Sequence, residues 1–192
     1  AKGQPVGGRW NLDHDNRKPW PGHPLPPDDP RPTHDHGELW AMLQKAGVRS
    51  FGNPQERQLR WPLNRQEALA CLDHFIGATL PHFGPYEDAM SSQAPRLFHS
   101  LLSFALNVKM LHPLEVIQKA EAACREGRVS LASAEGFIRQ ILGWREYVRG
   151  IYWAHMPGYE QVNALGHQQD LPPWFWTGQT RMRCLSTCIT QS

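Results

Sequence analysis

Cysteine is scarce in this chain, four residues in 192, and no apolar leader precedes them. Without a secretory signal, so few thiols read as cytosolic free cysteines or metal ligands rather than a disulfide framework. The expected compartment is the cytoplasm. Long apolar runs are missing too: no segment approaches the roughly 18 consecutive apolar residues that a membrane helix needs. An excess of one charge is also lacking. Lys+Arg number 20 against 18 Asp+Glu, a formal net charge of +2, so any basic surface has to be local. There is no internal repeat and little sign of strands. The chain opens Ala-Lys-Gly-Gln-Pro without an initiator Met and stops at Thr-Cys-Ile-Thr-Gln-Ser192 inside a helical pattern. No Gly or Pro stop signal closes that pattern, and the expectation is a piece of a longer protein.

What is present is proline, then helix. Residues 1–36 carry Pro19, Pro21, Pro24, Pro26, Pro27, Pro30 and Pro32, which forbid continuous helix and favour polyproline-like backbone. Trp10 and Trp20 turn the expectation from a disordered linker to an extended strap laid over a folded body. From residue 37 to 192 the patterning is helical. Glu38 to Ala46 predicts a short helix closed by Gly47. Asn64 with Glu67 three residues on resembles a capping box opening a helix to about Ile76. Ala94 to Leu111 is apolar nearly all round and predicts one buried helix. Pro113 and Gly127 bound another, and Ser133 can cap a long helix through Trp153. The expected fold class is all-α, in one helical domain preceded by the Pro-rich arm.

Three features carry candidate chemistry. Around Ile141, a step of about 100° per residue places Phe137, Ile138, Trp144, Val148 and Tyr152 on one core-facing stripe, with Arg145 inside it. A guanidinium keeps its proton, so burying one requires an anion, either a carboxylate from another helix or a phosphate. On the predicted buried helix, His99 and Ser103 lie i, i+4 with Ser100 nearby. These hydroxyls either bond back to the preceding turn or help a helix start to cradle a phosphate. The run Leu171-Pro-Pro-Trp-Phe-Trp176 reads as a loop anchor or an electron relay. Cys184 and Cys188 form a C-x3-C pair, too few for a tetrahedral metal site, while Cys71 and Cys124 fit buried inert thiols.

Several runs together resemble the photolyase/cryptochrome family, in particular its bacterial iron–sulfur branch. They are Gly7-Gly-Arg-Trp-Asn-Leu-Asp13, Phe83-Gly-Pro-Tyr-Glu-Asp-Ala-Met90 and Leu97-Phe-His-Ser-Leu-Leu-Ser-Phe-Ala-Leu-Asn-Val-Lys-Met110. Glu135-Gly-Phe-Ile-Arg-Gln-Ile-Leu-Gly-Trp-Arg-Glu-Tyr147 and Trp176-Thr-Gly-Gln-Thr-Arg-Met-Arg-Cys184 follow in the same order. The resemblance implies an incomplete helical FAD-binding domain in which light-excited reduced flavin donates an electron to a lesion flipped out of damaged DNA. This branch is associated with (6-4) photoproducts. Ser100, Leu101, Leu102 and Ser103 occupy the place of the flavin-phosphate loop, with Phe104 where a proline is usual. Tyr86, His99, Gln140, Trp144 and Arg145 complete the implied flavin contacts, and Gly143 is an extra residue relative to most photolyases. Trp176, from its place in the aromatic run, is the expected electron relay, and the resemblance makes Cys184 the first of four ligands of a 4Fe-4S cluster. Arg181 and Arg183 are the candidates for DNA contact. The other cluster ligands, the lesion-contacting segment and the antenna chromophore's domain would lie outside this chain. The resemblance implies a monomer with no membrane partner. A blue-light receptor using the same flavin for signalling is the alternative function, and a helical DNA-binding module without flavin a third.

Overall fold

A computed structural model describes residues 3–50 and 58–191; the terminal residues Ala1, Lys2 and Ser192 lie outside them. Asn64 makes the cap that its sequence context predicts. Its Oδ1 accepts from the Glu67 N–H at 2.9 Å and opens α2, Arg65–His74. The Glu67 carboxylate reaches back to the Leu63 N–H at 2.8 Å, one residue before the position a capping box uses. The helix does not end near Ile76. It passes through a π-helical segment, Phe75–Thr79, into α3, Leu80–Tyr86. Pro81 lies two residues beyond that segment, and a proline cannot donate to the carbonyl four residues back.

The other expected helices are present with one exception. α1 runs Gly37–Lys45, and Gly47 beyond it adopts a φ of +68°. α5, Pro113–Arg125, starts on its proline, with the His112 side chain accepting from the Leu114 N–H. α6, Leu131–Arg139, is capped by Ser130, whose Oγ accepts from the Ser133 N–H at 3.2 Å. Ser133, expected as the cap, is instead buried against α3, its Oγ accepting from the Gly84 N–H at 3.1 Å. After α6 a second π-helical segment, Gln140–Glu146, leads into α7, Tyr147–His155.

The exception is the long buried helix expected over residues 94–111. Only α4, Ser103–Asn107, is helical there. Leu97, Leu101 and Lys109 adopt left-handed backbone, with φ of 40°, 56° and 66°. Each such residue costs roughly 1–2 kcal/mol. The turns bury Leu97, Phe98 and Leu102 almost completely, and full burial of a large apolar side chain returns about 1.5–3 kcal/mol. Packing wins over local helix propensity.

The core lies among α2, α3, α5 and α6. Phe75, Phe83 and Phe137 meet at its centre, with ring centroids 4.6 Å apart for Phe75–Phe137 and 5.6 Å for Phe83–Phe137. α3 and α6 approach through glycines. A Cβ on Gly84 would fall 2.7 Å from the Ser133 Cα and 2.6 Å from Asn16 Oδ1.

That asparagine belongs to the Pro-rich arm, which contains two short 3-10 turns, Val6–Gly8 and Asp13–Asp15. Leu12 and Asn16 are its buried anchors. Asn16 Nδ2 donates to the Ala132 carbonyl at 3.2 Å, and the Lys18 N–H to the Pro85 carbonyl at 2.8 Å. Trp10 is exposed and does not anchor it. Further on, Asp29 gathers three arginines from separate segments: Arg31 at 2.8 Å, Arg96 at 3.0 Å and Arg60 at 3.9 Å. The Arg31 bonds come first among the causes that hold its carboxyl down at about 2. The arm ends in β1, His34–Asp35, paired antiparallel with β2, Gln58–Leu59.

The chain divides into two compact units, Ala1–Val148 and Arg149–Ser192. The first holds the arm and the helical core together. The second contains most of α7, a 3-10 turn at Gly158–Gln161, α8 at Trp174–Thr177 and α9 at Arg183–Gln191. No helix among the described residues is long and apolar enough to cross a membrane.

Candidate functional site

The two left-handed leucines shape the site. By turning the backbone before and after Phe98-His-Ser100, they open residues 99–103 onto a cavity of about 380 Å³. Phe83, Glu87 and Asp88 form one wall at the end of α3; Phe137 and Gln140 come from α6 and the π segment beyond it. His99, Ser100, Leu101, Leu102, Ser103 and Gln140, six of the nine expected flavin contacts, line this one cavity. They do not lie along one helix face. The i, i+4 relation expected of His99 and Ser103 gives way to a loop running into the short α4.

The polar rim has defined states. The His99 ring stands edge-on to Phe83, with centroids 6.3 Å apart. Burial pushes its pKa below the ordinary 6.5, against a smaller upward pull from Asp88, which favours the neutral ring. Ser100 Oγ accepts from the Leu102 N–H at 3.4 Å. Gln140 Nε2 donates to the Gly136 carbonyl at 3.2 Å, leaving its carbonyl oxygen for a ligand. Glu87 and Asp88 are the lining residues that the sequence did not single out; their adjacency to Tyr86 in one motif was the available signal. Burial raises the Glu87 pKa above the ordinary 4.5, reinforced by Asp88 and Asp13.

The remaining three expected contacts stand outside the lining. Tyr86 packs its ring on Phe98, centroids 5.4 Å apart, and its hydroxyl meets the His23 carbonyl of the arm at 3.5 Å. Trp144 is 68% exposed. Arg145 is half-buried and donates to the Leu106 carbonyl at 3.4 Å, so its partner is a peptide dipole rather than a buried anion. The expected stripe holds for Phe137 and Ile141, which are buried, and fails for Trp144, Val148 and Tyr152, which are exposed. The π segment explains the break. An i→i+5 turn fits more residues into each turn, so the residues beyond Ile141 are displaced from a 100° wheel. Gly143, the extra residue in this motif, lies inside that segment.

The second unit carries the other candidates. Trp176 is 67% exposed on α8, where Trp174 and Phe175 stack at 4.2 Å. Cys184 and Arg183 lie in the first turn of α9 with Arg181 just before it, all exposed. Cys188 is also exposed. Among the described residues no group of three or more His, Cys, Asp or Glu side chains is placed to hold a metal ion. Cys71 is a buried thiol whose pKa burial pushes up, and it donates weakly to the Pro30 carbonyl at 3.6 Å.

Comparison with known proteins sets this geometry in a family. The family profile described as "Deoxyribodipyrimidine photo-lyase-related protein" matches residues 1–59. A "(6-4) photolyase" of Agrobacterium fabrum (strain C58 / ATCC 33970) is 41% identical over 191 residues, covering 98% of this chain and 37% of that protein. An uncharacterised protein of Acanthamoeba polyphaga mimivirus is 31% identical over 108 residues, covering 56% of this chain and 82% of that protein. The chain thus spans little more than a third of the photolyase it matches. With its all-α architecture and an alignment running nearly end to end, this chain belongs to the photolyase-related protein family.

Proposed function

We propose that this chain is the cofactor-cradling part of a FAD-dependent, light-driven DNA photolyase acting on (6-4) pyrimidine photoproducts. The observation that carries the proposal is 41% identity to a (6-4) photolyase across 98% of the chain. The cavity supports it: 380 Å³ suits part of a dinucleotide rather than the whole. Phe83, Phe137, Leu101 and Leu102 provide apolar walls that exclude water. The Ser100 and Ser103 hydroxyls, with the N–H groups at the start of α4, donate to phosphate oxygens. Neutral His99 and the Gln140 carbonyl orient polar groups of the ligand. Arg145, and Tyr86 behind Phe98, flank the cradle, with Arg145 as its cation. Trp144 caps it from the exposed side.

When bound, the excited reduced flavin supplies the electron that splits the lesion. Trp176 belongs to the path that refills the flavin. DNA binding places the lesion extrahelical, as chemistry on a base requires, and Arg181 and Arg183 contribute phosphate contacts. Cys184 offers one thiolate to a 4Fe-4S cluster. Among the described residues no group of three or more His, Cys, Asp or Glu side chains is placed to complete a metal site with it. An antenna chromophore and the remaining cluster ligands belong to parts of the protein outside this chain.

The test is repair of a (6-4)-damaged oligonucleotide by the full-length, reduced protein under blue light. Light-dependent restoration of the two pyrimidines supports the enzyme. Bound flavin without repair moves the assignment to a blue-light receptor, and a folded but colourless protein refutes both.

A further inference from the structure

We propose that Glu87 contacts the bound nucleotide as a neutral carboxylic acid, donating a hydrogen bond from the cavity wall to an oxygen of the ligand. The inference rests on the cavity being the flavin site. Glu87 stands immediately after α3 and lines the cavity, but its two oxygens have different surroundings. Oε2 is sealed from solvent and receives no hydrogen bond. It is pressed against α6 at Gly136, where an added Cβ would lie 3.3 Å from Oε2 and 3.5 Å from Oε1. That stretch of α6 itself presents a glycine and no donor side chain; the nearest side-chain amide nitrogen is Asn16 Nδ2, 2.9 Å from the same added Cβ.

Burial and the acidic neighbours push Glu87 toward its neutral form, against smaller opposing pulls from Asn16 and Arg17. Asp88 is its neighbour, and Asp13 approaches from the arm. The nearby cation, Arg17, is engaged by Asp13 at 2.5 Å and Asp88 at 3.4 Å. Asn16 Nδ2 carries two hydrogens: one goes to the Ala132 carbonyl at 3.2 Å, and the other, together with Arg17, favours the anion more weakly than burial and Asp88 oppose it. His99, which also lines the cavity, is itself held toward its neutral form by burial. An ionised Glu87 would leave a buried, orphaned Oε2 beside Asp88 and Asp13, which is costly; the neutral acid reduces that cost.

Protonation also changes what the group can do. An ionised carboxylate only accepts hydrogen bonds, whereas the neutral acid has one hydroxyl to donate. The cavity has no lysine or arginine in its lining. A carboxylate there would repel a phosphate; a carboxylic acid donates to a phosphate or ring carbonyl oxygen.

The experiment measures flavin affinity in the full-length protein from about pH 6 to about pH 9, for wild type, Glu87→Gln and Glu87→Ala. Glutamine keeps the shape and a donor but cannot ionise; alanine removes the donor. Wild-type affinity should fall about tenfold as pH rises, the scale of losing a hydrogen bond to a charged group. Glu87→Gln should stay level over the same range, and Glu87→Ala should be about tenfold weaker throughout. His99 remains in all three proteins, so the difference between the curves reports Glu87 alone. Parallel curves for wild type and Glu87→Gln, with flavin bound, overturn this inference and leave the flavin assignment standing. No flavin in any of the three overturns both. Circular dichroism of each variant establishes that the fold is intact.

Discussion

Gly84→Ala should destabilise the protein, although alanine is the better helix former. Taken alone, the substitution within α3 gains about 1 kcal/mol of helix propensity. Against that, the new methyl would sit 2.6 Å from Ser133 Oγ, 2.6 Å from Asn16 Oδ1 and 2.7 Å from the Ser133 Cα. Two of these neighbours are side-chain atoms, but the third is α6 backbone, so the helices have to separate. Overpacking of this kind costs roughly 1–3 kcal/mol. Separation also stretches the bond from the Gly84 N–H to Ser133 Oγ, worth about 1 kcal/mol. The net loss is roughly 2 kcal/mol, or about 4–8 °C in Tm for a chain of this size. Thermal and urea unfolding followed by far-ultraviolet circular dichroism measures it. Gly150→Ala is the matched control, because nothing lies within 4 Å of its added Cβ in α7; it should stabilise by about 0.5–1 kcal/mol. A Gly84→Ala protein as stable as wild type would refute the close α3–α6 approach.

Three further outcomes are expected. Asp29 has a folded pKa of about 2 against 3.8, so its contribution is fully present above the unfolded value and is lost as pH falls from 3.8 toward 2. Asp29→Asn should cost roughly 2 kcal/mol at neutral pH and flatten that part of the acid-unfolding curve; an unchanged acid limb would show that the arginine hub contributes nothing. Arg145→Met should lower flavin retention in the full-length protein, read from the flavin-to-protein absorbance ratio, with normal occupancy removing Arg145 from the cradle. Trp176→Phe should keep flavin content and fold while markedly slowing photoreduction of the oxidised flavin; an unaltered rate would make Trp176 a loop anchor.

Local signals in the sequence translated well where one side chain decides one backbone group. Asn64, Pro113, Gly47 and Gly127 each mark the helix boundary where the structure has it. Ser133 shows the limit of that logic. Two serines three residues apart could each cap α6, and the choice fell to Ser130 because Ser133 is needed against Gly84. Non-local effects were harder to see. An apolar run over residues 94–111 reads as a helix, and nothing in its composition announces left-handed leucines that exist because Leu97, Phe98 and Leu102 reach the core by turning. A helical wheel also assumes one period, so the π segment at Gln140–Glu146 displaced Trp144 and Arg145 from their expected face. The loop residues of the candidate site were legible because they share one motif; Glu87 also lies in a motif, beside Tyr86, but its state depends on burial and on Asp13 and Asn16, far away in the chain.

The most direct measurement is a crystal structure of the full-length protein purified with its natural cofactor. A flavin nucleotide bound between Phe83, Ser100, Ser103, Phe137 and Gln140 is the predicted result. A flavin held elsewhere in the protein, with this cavity filled only by solvent, would contradict the assignment.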